Sequence, residues 1–150
     1  MNYKKILLAV DASENAKRAA EYVAEIIGAS PEFEITLLYV VRYSEMDIFP
    51  DEESWRKKID QEKHSAYSLL DDIRELIVHK GVRNEIVSQE VLGISSFSIA
   101  QAIMDFQRKG KFGTIVVGRR GMSKAEEFLF GSISNKIVHY AKGCAVWVIE

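Results

Sequence analysis

The chain has 150 residues, of which 47% are hydrophobic and 28% are charged, a balance typical of an ordinary globular protein. This length predicts a single domain, residues 1–150, with a core large enough to fold without disulfide or metal cross-links. Twenty basic and 22 acidic residues give a net charge of -2, so no broad basic surface indicates nucleic-acid binding. The lone cysteine, Cys144, excludes an internal disulfide and a zinc site built from several thiolates.

The start of the chain contains two lysines and a short apolar stretch, residues 6–10, which could be mistaken for a signal peptide. The stretch is too short, and it runs directly into Asp11 without the small residues of a cleavage site. No apolar run elsewhere approaches the roughly 20 residues that cross a bilayer. We therefore interpret the stretch as a buried first strand and expect a cytoplasmic protein that does not bind membranes.

Five short apolar runs predict five β-strands. Four are nearly continuous in Ile, Val and Leu, which is typical of parallel strands covered on both faces. The third is interrupted by polar residues and indicates an edge strand. The predicted strands cover residues 6–10, 35–41, 86–92, 114–117 and 145–149.

Four segments between these runs have apolar residues at helical spacing. Gly28, Gly81, Gly110 and Gly143 follow them and predict where the helices end. The alternation of strand and helix predicts an α/β domain with right-handed crossovers and a parallel sheet. The apolar stripes span residues 16–27, 59–77, 99–106 and 133–141.

Glycines cluster after the fourth strand, where an open α/β sheet places its ligands. Gly118 and Gly121 allow the backbone to approach a ligand closely, because they lack a Cβ. Gly131 and Ser132 begin the last predicted helix, where free amides and a hydroxyl favour an anion. A tight turn and a helix cap explain each feature alone, but together they predict a phosphate site.

Charged residues near these glycines support the same interpretation. Arg119, Arg120 and Lys124 would add positive charge beside a phosphate. Asp11 ends the first strand, where it could bind a ligand or cap the following helix together with Ser13. The turn after the first strand matches neither the P-loop nor the three-glycine dinucleotide motif, so the predicted anion site lies at the fourth strand.

These residues resemble the universal stress protein family over the whole chain. The resemblance is carried by the opening residues 5–16, the middle residues 37–41 and the closing residues 117–148. The nucleotide-binding branch of that family has Gly, two residues, Gly, nine residues, and then Gly followed by Ser or Thr. Gly118, Gly121, Gly131 and Ser132 match this spacing without a gap.

The resemblance implies a nucleotide-binding, Rossmann-like α/β fold, with an open parallel sheet of strand order 3-2-1-4-5 and helices on both faces. ATP would lie across the ends of the first and fourth strands, with Mg²⁺ beside the triphosphate; ADP or AMP would fit the same contacts. Asp11 would hold the adenosine end, and Ala9 and Val40 would lie beside the adenine. The ribose and phosphates would be surrounded by Gly118, Arg119, Gly121, Gly131, Ser132, Ile133 and Ser134.

The resemblance also implies a homodimer in which the last strand, residues 144–149, pairs across a two-fold axis and covers an apolar edge. The chain departs from the family pattern at two places. Ala145 stands where the family usually has Pro, so we expect a looser entrance to the last strand. The pair Arg119 and Arg120 is more basic than usual and would either favour a triphosphate or reach a neighbouring acidic residue.

Two functional hypotheses remain open. The first is an ATP-binding stress-response protein that acts as a nucleotide-dependent switch or adaptor, with at most slow hydrolysis because no residue stands out to position an attacking water. The second is a dimeric adaptor that acts through contacts with an unknown protein partner without any nucleotide.

The sequence predicts no metal site, because His64, His79 and His139 lack the spacing of metal ligands.

Overall fold

The computed structural model of the chain describes residues 1–95, 98–119 and 132–150. The five predicted strands are confirmed, and their ends differ from the prediction by no more than two residues. No helix in these described ranges is long and apolar enough to cross a membrane. The elements are β1 (Lys5–Val10), α1 (Glu14–Ile27), β2 (Glu34–Arg42), α2 (Glu52–His79), β3 (Val87–Ile94), α3 (Ile99–Gly110), β4 (Thr114–Gly118), α4 (Ile133–Tyr140) and β5 (Ala145–Ile149).

The strands form one parallel sheet with the order β3-β2-β1-β4-β5, which confirms the predicted topology. β1 lies in the middle, between β2 and β4, and its residues Ile6, Leu7 and Leu8 are completely buried. β3 lies at one edge, as its polar interruptions predicted, and β5 lies at the other.

Helices cover both faces of the sheet, as predicted. α1 and α2 pack on one face, where Val23 and Ile73 join the core. α3 and α4 pack on the other face through Ile103 and Ile137. The chain therefore leaves β1 towards one face, whereas α4, the next described element after β4, lies on the opposite face. This divergence opens a crevice at the carboxyl ends of these two neighbouring strands.

α3 ends at Gly110, as predicted. Gly110 is its last helical residue, and the left-handed residue that follows and caps the helix is Lys111, with a φ of 55°. A Cβ on Gly110 would collide with the ring of Phe112, so a glycine is needed there for close packing rather than for a positive φ. Gly28, the capping residue of α1, does have the positive φ that the sequence predicts.

The entrance to β5, where we expected a looser structure at Ala145, is joined to the start of β4 by a backbone hydrogen bond. The Ala145 amide donates a hydrogen bond of 2.9 Å to the carbonyl oxygen of Gly113. A proline at this position could not make this bond, because it has no amide proton. Replacing the family's usual proline with alanine therefore adds a backbone contact between β5 and the start of β4.

The long connection between β2 and α2 is also held by hydrogen bonds. A short 3₁₀ helix, Met46–Ile48, lies within it. Asp51 caps α2 by accepting a hydrogen bond of 2.6 Å from the Ser54 amide, and this bond lowers the pKa of the Asp51 carboxyl. The indole of Trp55 donates to the Ser44 carbonyl at 2.9 Å. These contacts hold the connection against the first turn of α2.

We predict that two adjacent lysines contribute very differently to stability. Lys5 donates a hydrogen bond of 2.8 Å to the Gly110 carbonyl at the end of α3, and its ammonium lies 4.8 Å from the centre of the Phe112 ring. Lys5→Met should lower the free energy of unfolding by about 1–2 kcal/mol, because it removes a charged hydrogen bond at a helix C-terminus.

Lys4→Met is the matched control, since it removes the same charge from the neighbouring residue. Lys4 pairs with Glu32 on the surface, where both side chains are about half exposed or more. The loss of this pair should cost less than about 0.5 kcal/mol, and urea titration measures the free energy of unfolding of both variants. Equal destabilisation by the two substitutions would contradict the role of Lys5.

Candidate functional site

An apolar surface forms one side of the crevice. Ala9, Val40 and Ile133 are all partly buried and pack against the same cluster, which also contains Val117. In the sheet register Ala9 lies directly beside Val117. The structure thus brings the two residues predicted to lie beside an adenine into one apolar cluster with the first residue of α4. Such a surface suits a flat aromatic ring.

The Asp11 carboxylate shapes the turn from β1 into α1. Its Oδ1 accepts a hydrogen bond of 2.9 Å from the Ser13 amide. Ser13 in turn is the N-cap of α1 and accepts from the Ala16 amide at 3.2 Å. Ser13 therefore makes the cap, whereas Asp11 positions the capping residue.

Asp11 also influences the pKa of a partly buried tyrosine on the neighbouring strand. Burial raises the pKa of Tyr39, and the negative charge of Asp11 raises it further. Tyr39 packs against the core cluster beneath α1 and α2. The carboxylate therefore lies at the boundary between this core and the crevice.

Gly118 is needed for a close approach between β4 and α1. An ideal Cβ on Gly118 would lie 2.7 Å from the backbone carbonyl carbon and oxygen of Asn15 and 3.1 Å from the Ala16 nitrogen. The structure therefore gives Gly118 a packing role that the sequence did not predict. Its predicted contact with a ligand is compatible with this role, because the close packing places the end of β4 beside the first turn of α1.

Arg119 connects the end of β4 to β5. Its amide donates a hydrogen bond of 2.7 Å to the Ile149 carbonyl, and its guanidinium pairs with Glu150 at 3.1 Å. The sequence left two roles open for the positive charge of Arg119, binding a triphosphate or pairing with an acidic residue. The structure shows the guanidinium paired with an acidic neighbour. Both side chains are largely exposed, at 48% for Arg119 and 71% for Glu150, so this ion pair is weak.

Two buried hydroxyls lie at the start of α4. Ser132 is 5% exposed and Ser134 is 3% exposed. Ser132 Oγ accepts from the Asn135 amide at 3.1 Å and lies 3.2 Å from the Ser134 Oγ. A helix N-terminus with two hydroxyls carries donors and a positive dipole end, the arrangement that favours an anion.

The remaining motif positions, Gly121 and Gly131, lie outside the described residues, as do Arg120 and Lys124. The other predicted residues lie at the ends of β1, β2 and β4 and at the start of α4. These positions all belong to the carboxyl edge of the sheet.

Sequence reasoning missed two residues that contact this edge. The Asn15 side-chain amide donates to the Arg119 carbonyl, and Glu150 pairs with the Arg119 guanidinium. No local pattern indicates either contact, because the first pair is separated by 104 positions and the second by 31. Burial raises the pKa of the Cys144 thiol, which disfavours a reactive thiolate.

Comparison with known proteins identifies the class. The model of the universal stress protein family matches residues 2–150. A universal stress protein of Methanocaldococcus jannaschii is 29% identical over 150 residues, covering 99% of this chain and 82% of that protein. These matches extend over the whole domain.

Solved structures show the same fold. Universal stress protein UspA from Lactobacillus plantarum has a TM-score of 0.77 at 21% identity, covering 100% of this chain and 99% of that one. A universal stress protein from Archaeoglobus fulgidus in complex with dAMP has a TM-score of 0.65 at 20% identity, with complete coverage of both chains.

The fold is an open, parallel α/β sheet with polar groups gathered at its carboxyl edge, the architecture of Rossmann-like domains. The chain belongs to the universal stress protein family.

We predict that Gly118→Ala lowers the free energy of unfolding by about 1–3 kcal/mol, because the new methyl group meets backbone atoms of α1 that cannot rotate away. Gly93→Ala is a suitable comparison at the end of β3. There the three atoms nearest to the new methyl group all belong to the Tyr43 ring, which is only partly buried and can move, unlike the buried Phe112 ring beside Gly110. Urea unfolding of both variants checks the prediction, and a larger loss for Gly93→Ala would contradict it.

Proposed function

We propose that this universal stress protein binds an adenine nucleotide, ATP or the related ADP and AMP, in the crevice between β1 and β4. It would act in the stress response as a nucleotide-dependent switch or adaptor. The main support is the pair of buried hydroxyls of Ser132 and Ser134 at the N-terminus of α4. Amide and hydroxyl donors at a helix N-terminus favour an anionic ligand. The relative from Archaeoglobus fulgidus in complex with dAMP supports the choice of an adenine nucleotide.

In this proposal the two sides of the crevice bind different parts of the ligand. Ala9 and Val40 contribute the apolar surface for the adenine, and Asp11 holds the adenosine end. The ribose and phosphates are bound by Gly118, Arg119, Ser132, Ile133 and Ser134, together with the motif residues Gly121 and Gly131.

Charge and exposure explain how Arg119 would take part. Its ion pair with Glu150 is exposed and is worth about 1 kcal/mol or less. A triphosphate, with several negative charges, would therefore compete successfully for the guanidinium. Mg²⁺ would accompany the triphosphate, since this ion is usually held by phosphate oxygens and one or two protein oxygens.

The groups assigned to the phosphates also limit the chemistry. Hydroxyls, helix amides and a guanidinium bind and neutralise phosphate charge, but they do not activate a water molecule. We therefore propose a binding protein with at most slow ATP hydrolysis.

The proposal includes a homodimer that pairs through β5. The alternative, a nucleotide-independent adaptor, includes the same dimer. β5 is an edge strand with an apolar sequence, and Val148 is 39% exposed. Trp147 packs edge-on against the exposed ring of Tyr22, with 6.1 Å between ring centres. Pairing with a second copy would cover this apolar edge.

The nucleotide proposal is tested by comparing two helix caps. Ser132 caps α4 and Ser98 caps α3, each through a hydrogen bond of 3.1 Å. Each Ser→Ala substitution should cost about 1 kcal/mol of stability. Only Ser132→Ala should also weaken Mg-ATP binding, by about ten-fold for one lost hydrogen bond.

Isothermal titration calorimetry with Mg-ATP gives the dissociation constants, and thermal unfolding gives the stabilities. The proposal predicts saturable binding by the unmodified chain and by Ser98→Ala, and weaker binding by Ser132→Ala. No heat at millimolar Mg-ATP would favour the nucleotide-independent adaptor. Equal affinity of all three proteins would contradict the assigned role of Ser132.

The proposed dimer gives a separate prediction. Val148→Lys should convert a dimer into a monomer, because it places a charge in the apolar strand interface. Glu90→Lys is the control on the exposed surface of β3, at the opposite edge of the sheet, and should leave the dimer intact. Sedimentation equilibrium measures both, and a Val148→Lys protein that remains dimeric would contradict an interface through β5.

A further inference from the structure

Asn15 contacts the end of β4 although it is not among the residues predicted to bind the ligand. Its Nδ2 donates a hydrogen bond to the carbonyl oxygen of Arg119. Its Oδ1 accepts from the Arg18 Nη1 at 3.3 Å. The amide group is therefore oriented with its acceptor towards its own helix and its donor towards β4.

The Asn15 side chain is not required to begin α1. Ser13 already caps this helix, and Glu14 supplies a negative charge in its first turn. Alanine has a higher helix propensity than asparagine at a helical position. The hydrogen bond of Asn15 therefore connects two elements, α1 and β4, instead of stabilising the helix to which the residue belongs.

The contact restricts the chain where it leaves β4. Gly118 packs against the backbone of Asn15, and the Arg119 amide is held by the Ile149 carbonyl at 2.7 Å. With its carbonyl bound to Asn15, the peptide groups on both sides of Arg119 have fixed partners. The backbone direction at Arg119 is thus determined by α1 on one side and β5 on the other.

We propose that Asn15 is a positioning residue for the adenine-nucleotide site. It fixes the carbonyl of Arg119, and with the Ile149 contact it holds the backbone of this phosphate-binding residue at the end of β4, without touching the nucleotide itself. Binding groups must be held to within about half an ångström to be effective, so the loss of such a support weakens binding. This inference rests on the proposed function.

Three variants test the inference. Asn15→Ala removes both hydrogen bonds of the side chain, and Arg18→Ala removes only the one within α1. Asn15→Gln retains an amide donor on a longer side chain. Calorimetric titration with Mg-ATP well below the unfolding temperature gives the affinity, and thermal unfolding shows that each variant is folded.

We expect Asn15→Ala to bind Mg-ATP about ten-fold more weakly, the equivalent of one hydrogen bond. Arg18→Ala should bind like the unmodified chain, and Asn15→Gln should recover most of the lost affinity. If Asn15→Ala does not fold, Asn15→Ser takes its place, since serine also lacks the amide and is well suited to a helix start.

Three results would overturn the positioning role: unchanged affinity in Asn15→Ala, an equal loss in Arg18→Ala, or an Asn15→Gln protein as weak as Asn15→Ala. Absence of Mg-ATP binding by the unmodified chain would instead overturn the proposed function, and this inference with it. The two failures are distinguished by the titration of the unmodified chain.

Discussion

The pairing of β1 with β4 at the centre of the sheet determines where the candidate functional residues lie. The two strands run in parallel from the pair Ile6 and Thr114 to the pair Ala9 and Val117, so they end at the same edge. The helices that follow them in the described chain, α1 and α4, pack on opposite faces. A crevice at this edge is a geometric consequence of that arrangement, and the polar groups beside it come from the turns that the strands lead into.

The two halves of the chain meet closely at this crevice. Gly118 lies against the backbone of Asn15, and the Asn15 side chain reaches the next carbonyl of the same segment. Arg119 then continues the connection to β5 through its amide and its guanidinium. The start of α1, the end of β4 and the end of β5 are therefore joined by hydrogen bonds and close packing. In the proposed function, the nucleotide would bind beside this junction. Arg119 would then link the nucleotide site to β5, the strand through which we propose that two copies pair.

The fold could be predicted from the sequence to a large extent, because it depends on patterns along the chain. Continuous apolar runs identify buried parallel strands, and the polar interruptions in residues 86–92 correctly indicate an edge strand. The strand order came from the family resemblance, since periodicity does not determine which strands pair. The sequence does not show the reasons that depend on packing. α3 ends at Gly110 as predicted, but this glycine makes room for the Phe112 ring, a contact that composition does not show.

The candidate site could be predicted only in part. The motif spacing and the helix start at Ser132 are local features, and the structure places Ser132 as the predicted cap. The hydrogen-bond or ion-pair partner of each charged or polar group could not be predicted, because it depends on tertiary contacts. The sequence left Arg119 with two possible roles, and its pairing with Glu150 could not be chosen without the sheet register. Asn15 was overlooked for the same reason.

The most direct test of the account is to locate the bound nucleotide by nuclear magnetic resonance. Backbone amide resonances of the isotopically labelled protein would be followed during a titration with Mg-ATP. Binding in the crevice predicts saturable shifts concentrated at Asp11, Val40, Gly118 and Ser134, with little change at the opposite end of the sheet, at Lys5 and Phe112. Shifts concentrated at that opposite end, or none at millimolar Mg-ATP, would contradict it.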